Sequence, residues 1–570
     1  MITFVFHTHL PYVLHHGTWP HGSDWLCEAV AECYLPMLKV CDGLVADGIP
    51  PNITFDISPI LCEQLAHPDF RDLFVGYCKE HSALALSDES EFTAINPSDD
   101  RIPVTKFWSQ WYTDRLREFE DDYAGDIVGA LKRLQKNGSI EVMTCGATHG
   151  YLPLLADDRS VKMQVELAVS NYIRHFDRKP TGIWLPECSY RPAYQWRTLL
   201  PVSQYSLAHA RWGVEEVLQE SSLGYFITDQ GALQNAKPIG YRTDLGDVVP
   251  FEETVGDVRN QLEERSPLDV FELETTPGKP PVRILTRAMT VAMQVWSGKS
   301  GYPGDPDYLD FHKKYHSSAL RYWRVTDNNA DMQYKTTYNP EWAANKTAEH
   351  AAHFVSVLET LVKHRISSTN GQCVVCLPFD TELFGHWWFE GPMFLDRVLR
   401  GIHASALVAA TTAYQAVAAT DTHCVLQLPE SSWGRNGNHD VWMSKETEWT
   451  WEKEYVLEAK VFKLLEGHPS ATRDKTAKRI LRNLVREMLL AQASDWQFLI
   501  STFSAKEYAE MRFHNHHADA NTLLAMAEKH FRSEKLDVAD ETFLTECEAR
   551  DDVFNAELDA LVKNVGESTE

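Results

Sequence analysis

Residues 181–192, TGIWLPECSYRP, decide how the rest of the chain is read. Gly182-Ile183-Trp184-Leu185 is apolar on both faces, the pattern of a short strand buried in a parallel sheet. Pro186 stops the ladder because it has no N–H to give. Glu187 follows at once, so a carboxylate stands where a buried strand opens into a loop. In barrels of parallel strands that edge carries the chemistry. The plainer alternative, a carboxylate paired with Arg191, is outweighed because other strands end in the same way.

Outward from this stretch, apolar runs alternate with helical spacing. ITFVFH (2–7) predicts a first strand running into His7-Thr8-His9-Leu10-Pro11-Tyr12, and ITFDI (53–57) a second. IEVMT (140–144) opens into CGATHG with His149, GYFIT (224–228) into Asp229, and QCVVCLP (372–378) into Phe379-Asp380-Thr381-Glu382. Helices are predicted over 25–45, with Leu26, Val30, Tyr34 and Leu38 four apart, and over 159–176 and 342–363. The alternation lapses over 86–138, which reads as a helical insertion. Residues 234–281 read as loop. Beyond about residue 425 come a Trp-studded loop and long helices, including 475–500, and the acidic tail from Ser533 shows no obvious packing face. The expected architecture is α/β: a catalytic barrel over 1–424 with the 86–138 insertion, then a C-terminal helical domain over 425–570.

Composition narrows the function. Of 570 residues 44% are hydrophobic and 24% charged, ordinary for a globular enzyme, while the net charge of −27 disfavours nucleic acid or an anionic membrane as partner. A neutral ligand fits better, and 17 Trp suit stacking on sugar rings. No apolar run spans a bilayer and no signal peptide precedes ITFVFH, so a cytoplasmic location is expected. Eleven Cys without a framework imply reduced thiols. Cys373 and Cys376 form a lone CxxC whose side chains point to opposite faces of a strand, which speaks against a metal or redox site. No cofactor motif occurs, and the oligomeric state is not legible. Two carboxylates at separate strand ends, among His and Trp, suit glycoside chemistry, one attacking the anomeric carbon and the other protonating the leaving oxygen.

At this level the chain resembles glycoside hydrolase family 57, and within it the 1,4-α-glucan branching enzymes. HTHLPY, CGATHGYLPLL, GIWLPEC, FDTELFGHWWFEGP and LLAQASDWQFLI resemble the family's five motifs in order, and QVWSGKSGYPGD and SSWG…WTW resemble this subfamily. The resemblance implies an incomplete (β/α)7 barrel, an inserted helical domain and a C-terminal helical domain that helps close the cleft. It implies Glu187 as nucleophile and Asp380 as general acid/base, acting on α-1,4-glucan without a metal or cofactor. Candidate substrate contacts are His7, His9, Trp19, His149, Trp184, Tyr241, Arg287, Trp296, His386, Trp387, Trp433, Trp442 and Asp495, with Trp449 a further platform candidate. Two stretches depart from the pattern. Thr228-Asp229-Gln230-Gly231 stands where an Asp-x-His-Gly is usual, and Thr286-Arg287-Ala288-Met289-Thr290-Val291 where a Gly-Arg-Asp-Pro-Glu-Ser run is usual. In similar enzymes a mobile loop with a Tyr near its tip shields the intermediate, and Tyr241 is the matching Tyr here. An α-amylase-like hydrolase or a 4-α-glucanotransferase of the same family is therefore the alternative outcome. The rivals from other classes are a metal-dependent deacetylase using His7 and His9, and a non-catalytic glucan-binding protein.

Overall fold

The computed structural model describes residues 1–276, 278–368 and 373–567. Its thirteen strands among the described residues are β1 (Ile2–Thr8), β2 (Ile53–Ile57), β3 (Ile140–Met143), β4 (Gly182–Ile183), β5 (Tyr194–Trp196), β6 (His209–Arg211), β7 (Tyr225–Thr228), β8 (Lys237–Arg242), β9 (Val248–Pro250), β10 (Phe271–Leu273), β11 (Arg283–Thr286), β12 (Val375–Asp380) and β13 (Cys424–Gln427). Every residue of β1, β2 and β3 is buried, as expected where both faces of a parallel sheet are covered.

β1 lies between β12 and β2, and β2 pairs onward with β3, all parallel. The register sets His7 beside both Asp380 and Asp56. In a second parallel group β7 lies between β4 and β11. Two parallel bridges, Thr144 with Ile183 and Arg287 with Cys376, join the groups at either side. The carboxyl ends of these strands therefore share one edge, and His7, Glu187, Asp229, Arg287 and Asp380 all stand at it.

Four expectations change on inspection of the fold. The span 86–138 opens inside one continuous helix, Pro68–Ile95, whose polar run SDESE is uninterrupted by proline and turns Asp88 inward to bonds with Ser318 and Tyr322. That helix packs on Ile102–Arg117, whereas Ile127–Lys136 packs on β3, where Gln135 Oε1 accepts from Val142 N at 2.9 Å. Residues 234–281 are not a loop. They hold β8, β9, the helix Gly256–Glu264 and β10, and this branch extends from β11 by antiparallel β10, then β13, β8 and β9. The boundary at 424/425 falls inside β13, which belongs to that branch. The acidic tail does pack, because Leu544, Cys547, Val553, Phe554, Leu558 and Leu561 are buried, and two of its acids, Asp551 and Glu557, are buried with them in ion pairs to His16 and Arg174.

The C-terminal helices Glu448–Gly467, Lys475–Ala491, Ser494–Ser501 and Lys506–Phe531 bundle around Leu484, Met488, Leu523 and Ala527. Trp496, Phe513 and Ala493 make a smaller core beside the cleft. All eleven cysteines are buried free thiols, Cys373 and Cys376 included.

Candidate active site

A cleft of about 900 Å³ opens over the shared strand edge. His7, His9, His149, Glu187, Arg287, Trp296, Asp380, His386, Trp387, Trp433, Trp442 and Asp495 line it, so the fold gathers twelve of the expected residues from stretches hundreds of positions apart. Trp25, Phe311, Glu382 and Phe498 line it as well.

Glu187 is the most constrained of these. It sits in the left-handed region at φ 61° and Cys188 follows at φ 48°, conformations that cost a non-glycine residue roughly 1–3 kcal/mol each. Local bonds hold the turn, from Cys188 N to Leu185 O at 2.8 Å and from Ser189 N to Pro186 O at 3.0 Å. The loop after β13 then clamps it. Trp433 N donates to Glu187 O at 3.1 Å, and Trp433 Nε1–H donates to Glu187 Oε2 at 2.9 Å. Ser494 Oγ lies 3.4 Å from Oε1, and His149 Nδ1 lies 4.0 Å from the same oxygen. Burial raises the Glu187 carboxyl to about 7, and the Trp433 bond works against that rise.

Asp380 ends β12 with extended backbone, and among the described residues no donor reaches its carboxyl. Burial, then the nearby Glu382 and Glu187 carboxylates, push it well above the ordinary aspartate range, and Arg287 only partly offsets them. The two groups thus differ in kind. Glu187 has donors that favour its charged form, while Asp380 has neighbours that favour its neutral form. A split of this kind is what acid–base chemistry with two carboxyl groups requires.

The walls are aromatic and imidazole. His9 and His149 stack with centroids 3.9 Å apart, and His9 Nε2 pairs with Asp495 at 3.0 Å. Burial opposes ionisation of Asp495, yet His9 holds its carboxyl below the usual range. Trp296 crosses Trp433 edge-on at 6.0 Å, and Arg287 lies within 6 Å of both rings. Arg287 pairs with Asp229 at 3.6 Å. His386 Nδ1 bonds Glu32 Oε2 at 2.7 Å, and Trp387, 55% exposed, stacks on Phe311 at 4.4 Å.

Five candidate contacts stand outside the open cleft or behind its wall. Trp184 is fully buried beneath the cleft with its ring stacked on His7 at 5.0 Å, because a residue within the strand layer points into the core. Trp442 borders the cleft but is 1% exposed and stacked on Tyr151, so it backs the wall. Trp19 is exposed but does not line the cleft. Tyr241 pairs with Cys424 and Val249 in the branch sheet, its ring against His423, and no described residue from 188 to 286 lines the cleft. Trp449, likewise, stacks on His514 outside it.

Glu382, Ser494 and Asp56 were missed. Glu382 lies in the same FDTEL run as Asp380, accepts from Tyr34 O–H at 2.5 Å and is raised to about 7 by burial. Ser494 directly precedes Asp495. Asp56 is the one charge in an apolar strand, a signal that was on the page.

Among the described residues five groups of side chains could hold a metal ion, and two of them share His149 in the cleft: His9 with His149 and Asp495, and His7 with Cys145 and His149. Neither suits one. His9 Nδ1 bonds Ser58 Oγ at 2.8 Å, His9 Nε2 is taken by Asp495 and His149 Nδ1 by Ser494 Oγ, and burial pushes the Cys145 thiol up, away from the thiolate a metal needs. The donors serve hydrogen bonds instead.

Comparison with known proteins agrees with this geometry. The glycosyl hydrolase family 57 model matches residues 3–425, and a model described as 1,4-alpha-glucan branching enzyme, C-terminal, matches residues 455–562. The chain belongs to glycosyl hydrolase family 57. It is 36% identical over 553 residues to a 1,4-alpha-glucan branching enzyme from Thermococcus kodakarensis, covering 97% of this chain and 77% of that one. The crystal structure of a branching enzyme of this family from Pyrococcus horikoshii superposes with a TM-score of 0.86 at 33% identity, over 98% of this chain and 96% of that one. An alpha-amylase from Thermotoga maritima, AmyC, superposes at 0.79 with 25% identity, over 99% and 98%.

Proposed function

We propose that the protein is a 1,4-α-glucan branching enzyme, cleaving α-1,4 bonds and forming α-1,6 bonds by retaining double displacement. The observation that carries this is the pairing, in one aromatic cleft, of Glu187, gripped by donors, with Asp380, whose carboxyl burial and neighbouring carboxylates push well up. Glu187 attacks the anomeric carbon while Asp380 protonates the leaving oxygen. Asp380, then ionised, takes the proton from the 6-hydroxyl of a second chain, which displaces Glu187. Trp296 and Trp433 flank the donor glucan, while Trp387 on Phe311 offers an exposed platform for the acceptor. No cofactor or metal takes part. The seven parallel strands β1, β2, β3, β4, β7, β11 and β12 read as the incomplete (β/α)7 barrel, with a helical insertion and a C-terminal helical domain that supplies Ser494 and Asp495. Glycogen-like α-glucan in the cytoplasm is the natural setting of such chemistry; no helix among the described residues is long and apolar enough to cross a membrane.

One observation favours hydrolysis as a second reading. The segment expected to shield the intermediate, 234–281, lies in the branch sheet and contributes nothing to the cleft. A branching enzyme must keep water from the intermediate, so the wall of Phe311, Trp387 and Phe498 would have to do so here. Incubation with amylose, followed by debranching and counting of chain lengths and reducing ends, separates the two. New α-1,6 linkages establish branching, and reducing ends alone would make the protein an α-amylase-like hydrolase.

A further inference from the structure

Behind the cleft wall an unbroken line of hydrogen bonds runs from the buried interior to Glu187. Asp56 Oδ2 bonds His7 Nδ1. His7 Nε2 meets His149 Nε2 at 3.1 Å, His149 Nδ1 meets Ser494 Oγ at 2.8 Å, and Ser494 Oγ meets Glu187 Oε1 at 3.4 Å. The last contact is long, as such bonds often are without substrate. Five residues from β2, β1, the loop after β3, the C-terminal helix Ser494–Ser501 and the loop after β4 supply one link each.

Such a chain has only two self-consistent polarities, since each neutral imidazole donates from one nitrogen and accepts at the other. In the first, Asp56 is ionised and accepts from His7 Nδ1–H. His149 Nε2–H then donates to His7, Ser494 O–H must donate to His149 Nδ1, and nothing in the chain is left to donate to Glu187. In the second, Asp56 is a neutral acid donating to His7 Nδ1, His7 Nε2–H donates to His149, His149 Nδ1–H donates to Ser494, and Ser494 O–H donates to an ionised Glu187.

The geometry points to the second polarity: Asp56 is a positioning residue that stores a proton, so that Ser494 turns its hydroxyl toward the nucleophile. Asp56 is fully buried, and among the described residues its Oδ1 has no hydrogen-bond partner. A carboxylate would leave charge on that bare oxygen, whereas a neutral acid leaves only a carbonyl. The groups facing Asp56 are His7, Glu382, Cys62 and Cys145, and none supplies a cation. Burial, and then Glu382, push the Asp56 carboxyl up, while burial pushes both His7 and His149 well below the ordinary histidine range, as neutral relays need. Around Glu187 stand His149, Asp495, His9 and Asp380, and none donates to Oε1 in place of Ser494.

The two polarities hold the same number of protons. Passing from the second to the first moves one proton across each link: Glu187, protonated through Ser494, loses its charge, and Asp56 gains one. No co-reactant is consumed. One negative charge is thereby shared between the strand edge and the interior, and the chain decides which end carries it.

This inference rests on Glu187 being the nucleophile, and its test separates the two. Histidine-specific 15N NMR of the full chain, with His7→Gln and His149→Gln used for assignment, reads the tautomers directly. The expected result at active pH is a proton on His7 Nε2 and on His149 Nδ1, and the opposite pair overturns the proposal. In kinetics, Asp56→Asn keeps a donor toward His7 and should retain at least tenfold more kcat/KM than Asp56→Leu. Equal impairment, as expected when an ionised partner is lost, overturns it. Ser494→Ala should shift the acid limb of kcat/KM upward with KM little changed, and Ser494→Thr should restore it; an unmoved limb overturns the last link. Near-full activity of Glu187→Gln would sink the nucleophile assignment instead, whatever the tautomers.

Discussion

At the end of β4 the carboxylate of Glu187 is held by Trp433 and Ser494, which lie 246 and 307 residues further along the chain. At the end of β12 the surroundings of Asp380 are local: Glu382, His386 and Trp387 come from the same dozen residues, and Arg287 is brought in by the strand bridge to Cys376. The first region supplies donors and strained backbone, and the second supplies like charge and apolar cover. A reaction that needs one charged and one neutral carboxyl is thus served by two opposite ways of handling burial. Because the donors at Glu187 come from the loop after β13 and from the C-terminal helix Ser494–Ser501, its surroundings are complete only when both have docked, whereas those of Asp380 are largely supplied by its own motif.

Replacing the reacting groups should have the largest effect. Glu187→Gln should lower kcat by about a thousandfold or more, since an amide cannot attack. Asp380→Asn should cost about 10²–10⁴-fold, recovered in part with substrates whose leaving group needs no proton. A steady-state assay on amylose and on an activated glycoside measures both, and near-wild-type rates for either would break the assignment.

The clamp comes next. Trp433→Phe removes a hydrogen bond to a charged group, worth roughly 1.5–3 kcal/mol, and should cost about tenfold or more in kcat/KM. The sign follows from which form must be present. Glu187 works ionised and Asp380 works protonated, so activity falls as pH drops through the Glu187 value near 7 and falls again as pH rises through the elevated Asp380 value. Losing a donor that favours the charged form raises the Glu187 value, so the acid limb should move up and the alkaline limb should stay. A shift of the alkaline limb alone would reverse the comparison.

Smaller effects belong to the acceptor side. Trp387→Ala removes an exposed platform and should lower the ratio of transfer to hydrolysis by about two- to tenfold, the range of a lost aromatic contact. The ratio of α-1,6 linkages to reducing ends measures it. Smallest of all is Tyr241→Ala, which should leave both activities within about twofold, since the ring packs on His423 away from the cleft. A large rise in hydrolysis on this substitution would mean that the branch sheet moves over the cleft during turnover.

The same comparison explains what could be read from the sequence. Strand ends carrying His7, His149, Glu187 and Asp380 were legible because each is a local event: an apolar run, a breaker, then a polar side chain. His386 and Trp387 beside Asp380 were legible for the same reason, while Glu382 in the same run was not. Trp433 was singled out as a platform but not as the donor to Glu187, and Ser494 was passed over beside Asp495, because nothing local records a contact across hundreds of residues. Asp56 was visible as an acid in an apolar strand, and its meaning needed the register with His7. The errors share a cause too. The region 234–281 is rich in Pro, Gly and acid, which mark turns, and its strands are too short to show a period. The tail from Ser533 hides few apolar residues among many charges, and only the docked helices show which face they cover.

The pairing of β1 with β12 has a consequence for how the protein comes into being. The amine of Met1 donates to Cys373 O, 372 residues away, so β1 cannot meet one of its two neighbours until the long stretch between them has been made. At 5–20 residues per second the wait is roughly twenty to seventy-five seconds. Throughout it, ITFVFH, apolar but for Thr3 and His7, presents an open strand edge, which is an invitation to pair with the wrong chain. Synthesis, rather than catalysis, is where this fold is most exposed, and a nascent chain halted before β12 would depend on chaperones in a way the finished protein does not.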